Sequence, residues 1–334
     1  MATWKEWDMH NIWEAKHRLS TIVNKTPLIK SHKLSAYTGR NIYLKLETAT
    51  DIGSFKIRGA ANKILSLSQL ERSRGVTTFS TGNHGLAVAY VAQKLGIKAV
   101  VCISHNVPKN KRQALENMGA EVKIVGDSQE EAGEFCENLK ETYGMTIIHP
   151  FDDLYVIAGQ GTIGLELLED LPELDHVIVP LSGGGLLSGI GIGLKGASEH
   201  IRISGISIEG ASAMEKSLQR GVPVDTPEKA TLADSLLGSI GRENQYTLSI
   251  VSEVMDDMTL LDEEAIAKGM LHLLKEERQI AEGAAAVGVG AILSGRFSHL
   301  GQNVVLIITG NNVDPTIYET LSLTELDRIK GACL

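Results

Sequence analysis

Short apolar, β-prone runs alternate with longer helical stretches along nearly the whole chain, and few folds accommodate that order. Strands are expected over residues 42–46, 76–80, 99–103, 122–125, 146–149, 177–180, 203–208 and 304–308. Helical patterns lie between them, as at 85–95, 108–118, 129–142 and 157–169. The alternation predicts an α/β protein whose mostly parallel sheet is covered by helices. With 334 residues the chain can bury a large core and is long enough for two lobes. No internal repeat, low-complexity tract or long linker interrupts it. The segment Gly159-Gln160-Gly161-Thr162-Ile163-Gly164 fits the dinucleotide fingerprint G-x-G-x-x-G. It reads as already helical, however, and no turn precedes residues 155–158. The region about 20 residues on, where a ribose-binding acid is expected, is Ser182 to Gly185, so the match is rejected.

Three strand-to-helix turns carry the chemistry. Ser54-Phe55-Lys56-Ile57-Arg58-Gly59 sets one lysine in a small turn where a helix begins. An amine is nucleophilic only when unprotonated, and confinement beside a helix N-terminus, away from water, lowers its pKa. On its own the hexapeptide also fits a helix start with Ser54 as N-cap and Lys56 in solvent. Ser80-Thr81-Gly82-Asn83-His84-Gly85 and Ser182-Gly183-Gly184-Gly185-Leu186 each follow an apolar run and precede a helical pattern. Glycines there bring backbone N–H groups close to an anion, so Ser182 to Leu186 reads as a phosphate cup, with a flexible turn as the alternative. Thr309-Gly310-Asn311-Asn312 puts a hydroxyl at a strand end. An amine nucleophile, a phosphate cup, an amide and a strand-end hydroxyl together suit pyridoxal 5'-phosphate.

The ordered set S-F-K-x-R-G, S-x-G-N-H-G, G-G-G-L and T-G-x-N resembles the fold-type II pyridoxal-phosphate enzymes (tryptophan synthase β-like), in the serine/threonine dehydratase and serine racemase branch. The resemblance runs from about Thr26-Pro27-Leu28 to Asp314. Within the branch, Ala158-Gly159-Gln160-Gly161-Thr162, Leu232-Ala233-Asp234-Ser235-Leu236 and Ile280-Ala281-Glu282-Gly283 resemble the hydroxyectoine-utilisation dehydratases. It implies a small lobe at 67–151 inserted into a large one formed by 1–66 and 152–334, with the cofactor in the cleft. It also implies a homodimer; a cytoplasmic location is the default expectation, since no stretch reaches the length of a membrane span. The regulatory domain that follows Thr309 in biosynthetic threonine dehydratases is not expected here.

The same resemblance implies residue roles. Lys56 would hold the cofactor through a Schiff base and, once freed by the substrate amine, remove the α-proton. Phe55 would pack on the pyridine ring, or serve as an ordinary core aromatic. Asn83 would hold the ring's 3′-oxygen, and Ser182, Gly183, Gly184, Gly185 and Leu186 the phosphate. Ser54, Ser80, Thr81, Gly82 and His84 would face the substrate carboxylate, although His84 also fits a structural helix-start role. Thr309 would stand beside the pyridine nitrogen. A hydroxyl there cannot stabilise a charged pyridinium as an aspartate would, which favours β-elimination over transamination. Asn311 departs from the usual second glycine of that motif. Thr81 occupies the place of a serine that works on the opposite face in racemases, and threonine adds a methyl group and a stiffer χ1. Glu209, the Ala213 carbonyl and Glu215 fall where the relatives bind a divalent cation, with ligands suited to Mg²⁺ or Ca²⁺, except that Glu215 is one methylene longer than the relatives' aspartate. Two solvated acids at a helix start is the plainer reading. Glu282 would stand near the cofactor or pair with a helix N-terminus.

Composition agrees with a soluble metabolic enzyme, and the resemblance implies a small amino acid as its substrate. The net charge of −9, without a compensating basic stretch, argues against nucleic acid or an anionic membrane as partner. Cys102, Cys136 and Cys333 are odd in number and widely spaced, so neither a disulfide framework nor a zinc site is expected. The first ten residues lack the apolar core of a secretory signal.

Overall fold

The computed structural model describes residues 6–227 and 229–332, so Cys333 lies outside the described residues. Along the chain the strands are β1 (Leu28–Lys30), β2 (Asn41–Leu46), β3 (Val76–Thr78), β4 (Ala99–Ile103), β5 (Glu121–Ile124), β6 (Thr146–Ile147), β7 (His176–Pro180), β8 (Arg202–Ile208), β9 (Asp257–Leu261) and β10 (Asn303–Ile308). The helices are α1 (Met9–Leu19), α2 (His32–Thr38), α3 (Lys56–Ser66), α4 (Gln69–Arg74), α5 (Asn83–Leu95), α6 (Lys109–Asn117), α7 (Gln129–Tyr143), α8 (Leu154–Asp170), α9 (Gly185–Ala197), α10 (Ala213–Arg220), α11 (Thr247–Val254), α12 (Glu263–Lys275), α13 (Gly283–Leu293) and α14 (Pro315–Ala332).

The strands form two sheets, ordered β1-β2-β10-β7-β8-β9 and β5-β4-β3-β6. Every pairing is parallel except β1 with β2. The expected α/β architecture is therefore present, split between two sheets. β4 and β7 are buried along their whole length, as strands covered by helices on both faces must be. The expected strands at 76–80 and 146–149 end early, at Thr78 and Ile147, because the chain leaves the sheet there to build loops. Two strands were not expected from sequence, β1 and β9. Both are edge strands, and β9 is only half-buried over residues 257–260, so it lacks an uninterrupted apolar run.

All four strands of the smaller sheet come from residues 76–147. The apolar core beneath that sheet reaches further back in sequence, to Ile52, Ile57, Ala60, Ala61 and Ile64. α3 therefore packs in the core of the smaller sheet, while Arg58 in its first turn bonds Glu47 after β2 of the larger one.

The rejected glycine fingerprint lies inside α8, and each of its glycines is a helix-crossing point. A β-carbon on Gly159 would stand 2.5 Å from the Arg58 carbonyl of α3, and one on Gly161 2.8 Å from the Gly189 carbonyl of α9. Close helix packing, rather than a phosphate, requires these glycines.

Candidate active site

Open α/β folds place ligands beyond the C-terminal ends of their parallel strands. Here the loops that leave β2, β3, β6, β7 and β10 meet in one cluster. The Phe55 amide donates to the Thr309 carbonyl at 3.0 Å, and Ser54 forms an isolated antiparallel bridge with Gly310. The Asn311 amide donates to the Gly53 carbonyl at 3.0 Å, so Asn311 is tied into the same junction. Ser54 is fully buried, with its Oγ accepting from the Lys56 amide at 3.3 Å rather than lying at the surface.

Lys56 is the first residue of α3 and points inward. Its Nζ donates to the Pro150 carbonyl at 2.8 Å and lies 5.1 Å from the centre of the Phe55 ring. Burial pulls its pKa down to about 8, only partly opposed by the carboxylate of Glu282. A substantial share of the amine is thus neutral near pH 8, as a nucleophile or base requires. The solvent-exposed alternative is overturned.

The glycine loop after β7 forms a bare backbone cup. A β-carbon at Gly183 would meet the Phe151 ring at 2.5 Å, and one at Gly185 the Phe151 backbone at 2.9 Å. Gly184, the N-cap of α9, has φ +89°, which side-chain-bearing residues rarely adopt. No side chain caps α9, whereas Asp8, Ser31, Ser128 and Asp153 cap α1, α2, α7 and α8. Its first-turn amides, running into Leu186, therefore stay available to an anion. Ser182 beside them reaches the Leu237 carbonyl at 3.5 Å. The helices that begin at two other site loops, α5 and α13, likewise have no side-chain cap.

Asn83 opens α5 and spans the cleft. Its Nδ2 donates to both carboxylate oxygens of Glu282, at 3.1 and 3.0 Å, and its Oδ1 accepts from Asn312 at 2.6 Å. Glu282 is 5 % exposed, and burial raises its pKa to about 7 although Asn83 and Lys56 oppose the shift. The Glu282 amide donates to the Gly310 carbonyl, tying α13 to the Thr309 loop. Ser80, Thr81 and Gly82 are half-buried at the start of α5, beside Asn83. His84 is turned away from them. Its Nε2 faces the Ile148 carbonyl at 2.8 Å and so carries the proton, leaving a buried Nδ1 without a partner. Burial and the neighbouring Lys56 hold its pKa at about 3, so the imidazole is neutral. The His84 ring is thus engaged with the Ile148 carbonyl, as the structural helix-start reading expected.

The residues expected for a cation are engaged elsewhere. Glu209 lies 3.6 Å from the Arg296 guanidinium, Glu215 accepts from Gln219 at 2.8 Å, and the Ala213 carbonyl accepts from Ser217 at 2.7 Å.

Two contributors carried no sequence signal. The segment Ile148 to Asp153 crosses between the sheets. It supplies the Pro150 carbonyl, the Phe151 ring and the Asp152 carboxylate, which accepts from the amides of Gln245, Tyr246 and Thr247. Arg58 stood inside the S-F-K-x-R-G motif without an assigned role, and it proves wholly buried.

Taken together, an inward amine with a lowered pKa, an uncapped helix over a bare glycine loop and a buried hydroxyl residue at Thr309 fit a phosphate-bearing aldehyde. Comparison with known proteins agrees. The sequence profile described as "pyridoxal-phosphate dependent enzyme" matches residues 19–310. The chain is 43% identical over 306 residues to a Sinorhizobium fredii protein assigned as a threonine dehydratase, covering 92% of each. It is 40% identical over 313 residues to the L-threonine ammonia-lyase of Thermotoga maritima, covering 94% of this chain and 77% of that one. Maize serine racemase superposes with a TM-score of 0.89 at 33% identity, covering 97% of this chain and 99% of that one. The chain belongs to the family of pyridoxal-phosphate dependent enzymes.

Proposed function

We propose that this enzyme is an ammonia-lyase of the threonine/serine dehydratase type, converting a β-hydroxy amino acid to a 2-oxo acid and ammonia. The observation that carries the reading is Lys56: an inward-pointing amine with its pKa lowered to about 8, held at 2.8 Å by the Pro150 carbonyl. When bound, pyridoxal phosphate supplies an aldehyde for the substrate nitrogen and a ring that draws electrons from the α-carbon. Ser182 and the amides of Gly183, Gly184, Gly185 and Leu186 would hold the phosphate, and Phe55 and Asn83 the ring. Ser54, Ser80, Thr81 and Gly82 would hold the substrate carboxylate. Lys56 would take the α-proton and, as the resulting ammonium, return a proton to the β-hydroxyl, which departs as water. The released enamine tautomerises and hydrolyses to the products. Thr309 would offer the ring a hydroxyl rather than a carboxylate, which suits elimination.

The names of the Sinorhizobium and Thermotoga relatives support this substrate class. A hydroxylated intermediate of hydroxyectoine breakdown is a finer version. It draws on the 232–236 and 280–283 motifs, which touch: a β-carbon on Gly283 would lie 2.1 Å from the Leu232 carbonyl, beside Glu282. The inserted-lobe division at 67–151, a cytoplasmic location and a homodimer belong to the same reading. Among the described residues no helix is long and apolar enough to cross a membrane. A Mg²⁺ or Ca²⁺ ion on Glu209, Ala213 and Glu215 has hard-oxygen chemistry in its favour. It requires Glu209 to leave Arg296 and Glu215 to leave Gln219. A Tm raised by millimolar Mg²⁺ in the wild type but not in Glu209→Gln would support it.

Serine racemisation is the second reading, favoured by the half-buried Thr81 and by the likeness to maize serine racemase. Incubation with L-threonine and L-serine, assayed for 2-oxo acid and for enantiomer ratio with Lys56→Ala as control, separates the two. Formation of D-serine without 2-oxo acid would reverse their order.

A further inference from the structure

Beneath the loop that carries Lys56 lies an ionic cluster with almost no access to water. Lys45 and Glu47 are fully buried, Arg58 is 1 % exposed and Glu166 5 %. Arg58 donates from Nε and Nη2 to Glu47 at 2.8 and 2.9 Å, and from Nη1 and Nη2 to Glu166 at 2.6 and 2.9 Å. Nη1 also reaches Thr162 Oγ1 at 3.0 Å, and Nη2 reaches Thr26 Oγ1 at 3.2 Å. Lys45 Nζ donates to Glu166 at 2.6 Å and to the Thr26 carbonyl at 2.8 Å. Two cations and two carboxylates cancel, and all of the N–H groups of the guanidinium are used.

Such a cluster is poor evidence for added stability. Burying four charges is costly, and apolar residues of similar volume often stabilise a fold as well or better. What the cluster provides is fixed geometry. Glu47 is the first residue after β2, where the loop begins, and Arg58 sits in the first turn of α3, where the loop ends. One guanidinium therefore ties both ends of the loop that presents Lys56. Through Glu166 it also ties them to α8, the helix that follows Pro150, whose carbonyl holds the amine.

We propose that Arg58 is a positioning residue for Lys56, fixing through Glu47 and Glu166 where the amine stands and how little water reaches it. The proposal rests on the reading of Lys56 as the amine that takes the cofactor aldehyde. The charged or titratable side chains acting on Lys56 itself are Glu282 and His84.

The test follows attachment of pyridoxal 5'-phosphate to the cofactor-free protein by absorbance, with borohydride reduction and peptide mass to locate the adduct, from about pH 6.5 to 10. Arg58→Lys keeps the charge but loses the fork. It should attach about tenfold more slowly per folded molecule, because misplacing a reacting group is costly even when the fold survives. The midpoint of its pH dependence should move up from about 8 towards the ordinary lysine value of 10.5 as water gains access. Thr162→Val removes one acceptor from Arg58 and leaves a buried N–H unpaired, so it should slow attachment about threefold per folded molecule with a modest fall in Tm. If Arg58→Lys does not fold, Thr162→Val decides alone. Variants that attach with the wild-type rate and midpoint, whatever their Tm, overturn the proposal. Wild-type protein that takes up no aldehyde at Lys56 defeats the reading of the site and the proposal together.

Discussion

Asn83 and Glu282 join across the cleft, the amide of one donating to both carboxylate oxygens of the other at 3.1 and 3.0 Å. The contact links the first residue of α5 to the residue before α13. It buries an acid whose pKa rises from 4.5 to about 7. A raised carboxyl pKa stabilises the fold fully below the unfolded value, and that stability is lost as pH climbs through the folded one. The relevant window runs from about pH 4.5 to above 7. Glu282→Gln should therefore gain on the wild type across this window, by on the order of 3 kcal/mol in total. Urea unfolding at pH 5, 6, 7 and 8 measures it; parallel curves for the two proteins would count against a buried, titrating Glu282.

Lys56 should cost stability in the cofactor-free protein. Its pKa falls from 10.5 to about 8, so protons that the unfolded chain binds are released on folding between those values. A depressed pKa contributes stability above the unfolded value and loses it as pH falls through the folded one. Replacing Lys56 by Met should thus stabilise the protein at pH 7 by on the order of 2 kcal/mol, while abolishing activity. The gain should shrink as pH rises from about 8 towards 10.5. Denaturant melts at pH 7 and pH 10 are the comparison to make.

Much of the site was legible because it uses residue types that have few other uses in such turns. A lysine between a small turn and a helix, and three glycines after an apolar strand, limit the backbone strongly. Segment 148–153 was not legible, because its contributions are a main-chain carbonyl at Pro150, a ring at Phe151 that fills space left by glycines, and helix capping by Asp152. None of these needs a particular motif. The ring of His84 could not be assigned either, since its direction depends on the Ile148 carbonyl, 64 residues away in sequence. In the fold, buried parallel strands stood out as unbroken apolar runs, while the edge strands β1 and β9 did not. The sheet with which α3 packs was obscured, because α3 follows a large-sheet strand in sequence but packs its apolar face with the smaller sheet.

Two glycines of the candidate site should respond very differently to alanine. At Gly184 the left-handed φ and a β-carbon 2.8 Å from Met214 Cε should cost about 1–3 kcal/mol and weaken phosphate binding. At Gly82 φ is −98° and nothing lies within 4 Å, so stability should change by about 0.5 kcal/mol or less. Thermal melts, with and without inorganic phosphate, distinguish the two.

Gly159→Ala should destabilise by about 1–3 kcal/mol, because the new methyl group runs into the Arg58 carbonyl and the Gly59 backbone. The wild type should show no NAD binding by calorimetry. A measurable NAD affinity that Gly159→Ala abolishes would revive the dinucleotide reading of that motif.

The most direct test of the account is reduction of the cofactor-loaded protein with borohydride, followed by peptide mass analysis. The account predicts a coloured protein in which the pyridoxal phosphate adduct is fixed to Lys56 alone and disappears in Lys56→Ala. Colourless protein, or an adduct on another lysine with Lys56 unmodified, would contradict it.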